Sequence, residues 1–246
     1  MSLGLLAVTS GLVTDGAERA RIGPWHGDTR VGCVTPQPGC PPLSARVVQR
    51  CLDQLNGLGF QEAITSALPP SESAGFMAAG FQVTERLHLL ERPITSADRA
   101  AVTLPEGVVL SRGHRRDFDA LLAVDARCFG DFWRLDEAGI EDARSATTYA
   151  RFRVARRGET IVGYAITGRQ GRTGYLQRLA VDPSERRLGL GSALVMDGAR
   201  WLARWYARSV LVNTQETNAT ALALYESMHF HLKPHGLTVL STILAS

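Results

Sequence analysis

Leu179–Ala180–Val181–Asp182–Pro183–Ser184–Glu185–Arg186–Arg187–Leu188–Gly189–Leu190–Gly191–Ser192 is the stretch on which the fold turns. Ahead of it, Tyr175 to Val181 alternate and read as a strand. Pro183 has no N–H to give to a ladder and ends that strand. After it, Leu194, Val195, Ala199, Leu202 and Trp205 recur at helical spacing, which predicts a helix. The connection is Arg-x-x-Gly-x-Gly, made by Arg186, Gly189 and Gly191. A helix start leaves N–H groups unpaired at the positive end of the helix dipole. Glycines let an anion approach the backbone, and an arginine adds permanent charge. The pattern therefore predicts a phosphate or pyrophosphate cradle. It lacks the Gly-Lys-[Ser/Thr] ending of a P-loop, and its glycines are in the wrong order for a dinucleotide fingerprint. The bland alternative is an ordinary strand-to-helix turn beside two solvated arginines.

A second motif lies downstream: Asn218, then Ala221-Leu222-Ala223-Leu224-Tyr225-Glu226, then Phe230. With the Val-x-Pro ahead of Arg186, the two motifs in this order resemble the GNAT superfamily of acyl-CoA-dependent N-acyltransferases. The resemblance runs from Pro105 to the end of the sequence. It implies an α/β fold: a mixed, mostly antiparallel sheet flanked by helices. It implies acetyl-CoA as cosubstrate and no metal. By the resemblance, Leu179, Ala180 and Val181 run beside the pantetheine arm. Arg186, Arg187, Leu188, Gly189, Leu190, Gly191 and Ser192 hold the pyrophosphate, and Asn218 lies beside the arm. Tyr225 is then the proton donor to the leaving thiolate, although an aromatic in the core is its other reading. Asn218 also reads as a helix N-cap.

Composition narrows the rest. The chain has 246 residues, 45% hydrophobic and 21% charged, ordinary for a globular protein. A net charge of +3 is too small to argue for a nucleic-acid partner, and none is expected. Cys33, Cys40, Cys51 and Cys128 form no metal or disulfide pattern, so free thiols in a reducing cytoplasm are expected. No apolar run reaches the ~18 residues of a membrane span, and the stretch before Val13 lacks a basic leader.

The first part of the sequence carries short apolar pieces at Leu5–Val8, Ala20–Ile22 and Val31–Val34, then the proline-rich loop Pro36-Gln37-Pro38-Gly39-Cys40-Pro41-Pro42. A helix capped by Ser44 follows, with Val47, Val48, Cys51, Leu52 and Leu55 on one face. Gly80-Phe81 ends a short helix there as His229-Phe230 ends one later, and the same spacing sets Phe76 opposite Tyr225. We read residues 1–95 as a degenerate, truncated GNAT-like α/β half without a cofactor site, since prolines supply no N–H groups. An exposed polar connector, Glu91–Ala101, then leads to a catalytic domain over residues 105–246.

Acyl transfer from a thioester to an amine asks for a neutral amine, donors for the developing oxyanion and a proton for the thiolate. No covalent intermediate is required, and no Ser-His-Asp or Cys-His pattern is present. Any oxyanion donor is expected to be a backbone N–H within Gln177–Val181. Members that acetylate protein N-termini carry a glutamate where this chain has Asn213, leaving Glu216, Asp131 or Glu137 acting through water as weaker candidates. The acceptor expected is a primary amine of a protein N-terminus, a lysine or a small molecule. The tandem arrangement is also similar to that of mycothiol synthases, which adds a cysteinyl-sugar amine. The competing reading is a non-catalytic acetyl-CoA sensor. A monomer or homodimer is expected, with no membrane partner.

Overall fold

The structure is a computed structural model that describes residues 10–244. The expected strand at Leu5–Val8 lies outside the described residues. The chain divides into two compact units. One holds the residues up to 88 together with those from 234 on, and the other holds residues 89–233.

The first unit opens with an antiparallel meander, β1 (Gly11–Asp15), β2 (Glu18–Trp25) and β3 (Asp28–Pro36). Helix α1 (Ala45–Gly57) crosses over to β4 (Glu62–Thr65), which lies parallel to β3. Ser44 caps α1 by accepting the Val47 N–H at 3.5 Å. The apolar face read from the sequence is the buried one: Val47, Val48, Cys51, Leu52 and Leu55 pack on Val13, Ile22 and Val34. A short α2 (Ala74–Ala78) leads to the long β5 (Gln82–Pro93).

The second unit contains β6 (Val108–Arg112), α3 (Phe118–Cys128), α4 (Glu137–Ser145), β7 (Tyr149–Arg157), β8 (Thr160–Gln170) and β9 (Thr173–Val181). Helix α5 (Leu190–Arg204), β10 (Ser209–Gln215), α6 (Ala219–Ser227) and the two-residue β11 (His231–Leu232) follow. Strands β6 to β9 form an antiparallel meander, and α5 crosses over to β10, parallel to β9. The sheet is covered on both faces. Phe118, Leu121, Val124 and Ile140 of α3 and α4 meet Phe152, Val154, Tyr164 and Ile166 on one face. Leu194, Val195 and Leu202 of α5, with Tyr225 of α6, meet Ala165, Leu176, Val210 and Val212 on the other.

The two halves of the sequence repeat one pattern, β3-α1-β4-α2 answering β9-α5-β10-α6. Their short helices end alike. Phe76 and Phe81 pack with ring centroids 5.3 Å apart, and Tyr225 and Phe230 with centroids 5.6 Å apart. The Phe81 N–H bonds the Phe76 carbonyl at 3.1 Å, as the Phe230 N–H bonds that of Tyr225 at 3.0 Å. Gly80 and His229 both take the left-handed backbone this closure needs, with φ of +92° and +63°.

The two compact units do not coincide with the division into residues 1–95 and 105–246 expected from the sequence. The final strand, β12 (Leu237–Ile243), lies between β4 and β5 in the first unit, antiparallel to both. It belongs there because Val239 and Leu240 are fully buried, Leu240 within that unit's core. Conversely, residues 89–93 of β5 belong to the second unit, where they lie beside β10 and pair with β11. Each unit is completed by a strand from the far half of the sequence. The connector expected to be exposed is therefore partly interior. Its Arg92 and Asp98 are both buried, joined as an ion pair, and the Ile94 N–H bonds the Arg208 carbonyl at 2.8 Å. Opposite charges that satisfy each other look polar in sequence and still bury. Helix α5 stops at Arg204, one residue short of the last member of the apolar stripe read from the sequence. Trp205, counted on its apolar face, is 57% exposed, and Tyr206 turns left-handed at φ +56°.

Candidate active site

Strand β9 pairs with β10 only from Thr173 to Leu176 and then leaves it. At that point the β8–β9 register slips. Ile166 faces Arg178 and Thr167 faces Leu176, so Gln177 is an extra, bulged residue. The Asp182 N–H bonds the Val162 carbonyl at 2.9 Å. Antiparallel pairs alternate between bonded and non-bonded, so the N–H groups of Leu179 and Val181 point away from β8, toward the open side. The Val181 carbonyl accepts from the Cys128 thiol at 3.2 Å. Burial pushes that thiol's pKa up, with Arg186 beside it pulling the other way.

The turn after β9 is braced from both sides. Asp182 caps one tight turn, Pro183–Glu185, by accepting from the N–H and hydroxyl of Ser184 at 3.0 and 2.7 Å. Arg127 grips Asp182 at 2.8 and 2.6 Å, and Arg157 grips Glu185 through two bonds of 2.8 Å. The Ser184 hydroxyl, then Arg127, holds the Asp182 carboxyl below its ordinary range, and Arg157 does the same for Glu185. Arg187 and Gly189 take left-handed backbones, φ +62° and +83°, which turn the chain into α5. The first helical bond is from the Ala193 N–H to the Gly189 carbonyl at 3.0 Å. Among the described residues, the N–H groups of residues 187–192 make no hydrogen bond within the protein. Arg186 and Arg187 are exposed and have no carboxylate partner among the described residues. Six amides without acceptors and two guanidiniums without a carboxylate partner, Arg186 beside the Cys128 thiol, fit a diphosphate.

Helix α6 is brought against this turn. A Cβ on Gly191 would stand 3.3 Å from Leu224 Cδ2, so the glycine lets the two helices close together. Asn218 caps α6, its Oδ1 accepting the Ala221 N–H at 3.0 Å. One turn beyond Ala221, Tyr225 is 5% exposed, and its hydroxyl makes no hydrogen bond among the described residues. Burial raises the phenol's pKa well above its ordinary value. Tyr164 differs: its hydroxyl bonds the fully buried Asp125, which also accepts from Arg178 at 2.9 and 2.7 Å and from the Leu135 N–H at 2.9 Å.

The acids offered by the sequence do not gather here. Asp131 is 94% exposed and pairs with Arg134, Glu137 pairs with Arg115 at 3.5 Å, and Glu216 and Asn213 are exposed. Sequence reading missed the Asp125–Tyr164–Arg178 cluster. An acid on the apolar stripe of α3 was the available signal. In the first unit the corresponding loop is closed by the protein's own groups. The Gln37 N–H bonds the Arg19 carbonyl at 2.9 Å, the Cys40 N–H bonds that of Gln37 at 3.3 Å, and the Glu18 carboxylate takes the Ser44 N–H at 2.6 Å. Among the described residues, no group of three His, Cys, Asp or Glu side chains could hold a metal ion, and no helix is long and apolar enough to cross a membrane.

Comparison with known proteins agrees with this geometry. Residues 118–230 match the acetyltransferase (GNAT) family. A mycothiol acetyltransferase of Thermobispora bispora is 32% identical over 84% of this chain and 78% of its own length. The chain belongs to the GNAT acetyltransferase family. As a GNAT protein it is an acyltransferase of the acetyl-CoA-dependent type. Further GNAT relatives are mycothiol acetyltransferases of Thermomonospora curvata, 30% identical over 62% of this chain, and Amycolatopsis mediterranei, 29% identical over 76%. The chain spans only 54% and 66% of the lengths of these two. Among solved structures, a tandem GNAT protein of the clavulanic acid biosynthesis pathway has a TM-score of 0.67 at 14% identity, covering 98% of this chain and 85% of that one. A GCN5-related N-acetyltransferase from Sphaerobacter thermophilus has a TM-score of 0.59 at 16% identity, covering 92% and 77%. At such identities the likeness concerns the fold, and it supports two GNAT-like halves.

Proposed function

We propose that the second unit moves an acetyl group from acetyl-CoA directly to the primary amine of a small molecule. The observation that carries this reading is the row of unpaired amides at residues 187–192, placed against the helix that holds Tyr225. The thioester supplies the activated acetyl group. Residues 187–192 grip the diphosphate, with Arg186 and Arg187 alongside. Leu179, Ala180 and Val181 guide the pantetheine arm, with Asn218 at the end of that groove. The outward N–H of Leu179 or Val181 is the donor to the acyl oxygen. Tyr225, kept protonated by burial, gives its proton to the leaving thiolate, and the proton the amine nitrogen sheds as the amide forms restores the phenol. Asn213 cannot take a proton, so the amine arrives neutral and the rate follows its deprotonation.

The relatives' names favour an acceptor of the mycothiol kind, a small cysteinyl-sugar amine, over a protein N-terminus or lysine. The first unit binds no acyl-CoA in this reading, because Glu18 occupies the place an anion would take. The four cysteines, all unbridged, suit a reducing cytoplasm.

CoA release is to be measured against cysteine methyl ester, glucosamine, a cysteinyl-glucosamine conjugate, a free-N-terminal tripeptide and an Nα-blocked lysine. Release with the cysteinyl amines, rising with pH through the amine pKa, is the expected result. The asparagine at position 213 favours one competitor, a non-catalytic acetyl-CoA sensor. Binding of CoA in a calorimeter without release for any amine would establish that instead.

A further inference from the structure

We propose that Gln177 holds the acceptor amine, its Oε1 accepting a hydrogen bond from the substrate's N–H; this rests on the acetyltransferase reading above. Gln177 is the bulged residue at the place where β9 parts from β10. Its neighbours in the strand are fixed on either side. Leu176 is buried in the core under α5, and Arg178 is locked to Asp125 and to the Trp133 carbonyl at 2.8 Å. The side chain lies over Gly168, in space the glycine leaves, since a Cβ there would stand 2.7 Å from its Nε2.

The amide's orientation follows from one hydroxyl. Thr147 donates its proton to the Tyr149 carbonyl at 2.9 Å and can only accept from Gln177. The Gln177 Nε2 therefore faces Thr147, at 3.4 Å, and Oε1 faces the other way. That oxygen is shielded from solvent and has no donor among the described residues. A buried carbonyl oxygen left without a donor is costly, and such groups in native folds mark a place where something else binds. Beside a forked strand that guides a thioester, the missing donor is the nucleophile. An amide oxygen can orient an amine through its N–H without removing a proton, which suits a site whose neighbouring strand carries Asn213 in place of an acid.

The test uses the full chain and the amine of the panel that wild type acetylates fastest. Gln177→Leu is expected to raise the acceptor KM by about tenfold, the worth of one hydrogen bond to a buried partner. The acetyl-CoA KM should stay within about twofold and the Tm should be unchanged or higher, as expected when an unsatisfied group is replaced by an apolar one. Gln177→Glu keeps an acceptor oxygen and should retain an acceptor KM near wild type. A Gln177→Leu protein with the wild-type acceptor KM overturns the assignment. So does a lowered Tm with both KM values shifted together, the mark of a structural strut. If wild type itself acetylates no amine, the acetyltransferase reading fails first, and this inference with it.

Discussion

Tyr225 and Tyr164 are two buried tyrosines in opposite settings. The Tyr164 hydroxyl is committed to Asp125, whereas that of Tyr225 makes no hydrogen bond among the described residues and is available to a reacting group. Tyr225→Phe should lower kcat by ~10²-fold, the lower end for a lost general acid, with the acetyl-CoA KM little changed. Steady-state kinetics with varied acetyl-CoA would check this. Burial raises the phenol's pKa, so the proton is retained through the ordinary assay range and no falling limb below pH 10 should come from it. The same shift has a cost for the fold. A group whose pKa is higher folded than unfolded stabilises below its unfolded value, and the gain is lost as pH rises through the folded one. Tyr225→Phe should therefore be the less sensitive protein in alkaline unfolding above pH 10. Tyr225 was singled out by the resemblance of the motif that begins at Asn218, and the helix it lies on was legible. The Asp125 cluster was not, because its three members come from distant segments and nothing local links an acid on α3 to an arginine on β9.

At the scale of the element, the strand–turn–helix of β9 and α5 was readable nearly to the residue. Alternation, a proline stop, two glycines and a helical apolar stripe all agree there. Its geometry rests most on Gly189, at φ +83°. Gly189→Ala places a Cβ in the left-handed region, costing ~1–2 kcal/mol. A lower urea midpoint and weaker CoA binding by calorimetry are expected together, since the same backbone aims the amides. The end of α5 was misread for a physical reason. Trp205 keeps the helical apolar period, but Tyr206 reverses the backbone one residue later and leaves the indole at the surface. Periodicity reports which residues are apolar, and the turn that follows decides whether they are covered.

At the scale of the whole molecule, two fold repeats were legible from the matched Phe76–Phe81 and Tyr225–Phe230 spacings. The exchange of strands between the halves was not, because β12 and the end of β5 carry no local mark of which sheet they will join. Partner choice is settled by the space Val239 and Leu240 fill. Deleting residues 234–246 should open the first unit, exposing the core around Leu52, Phe60 and Leu68, while residues 89–233 stay folded. Hydrogen exchange read segment by segment would show fast exchange confined to β3, β4 and α1. Equal protection in both units after the deletion would mean that β12 is dispensable.

The placement of β12 also sets a schedule for biosynthesis. A ribosome finishes β1 to β4 early, yet the strand that completes their sheet is made only after the whole second unit. Until then the nascent chain carries a gap between β4 and β5, open to trigger factors or to a neighbouring polysome's copy of the same strand. Stalled translation intermediates ending near residue 233 should be protease-sensitive in residues of the first unit, a vulnerability that synthesis of β12 removes.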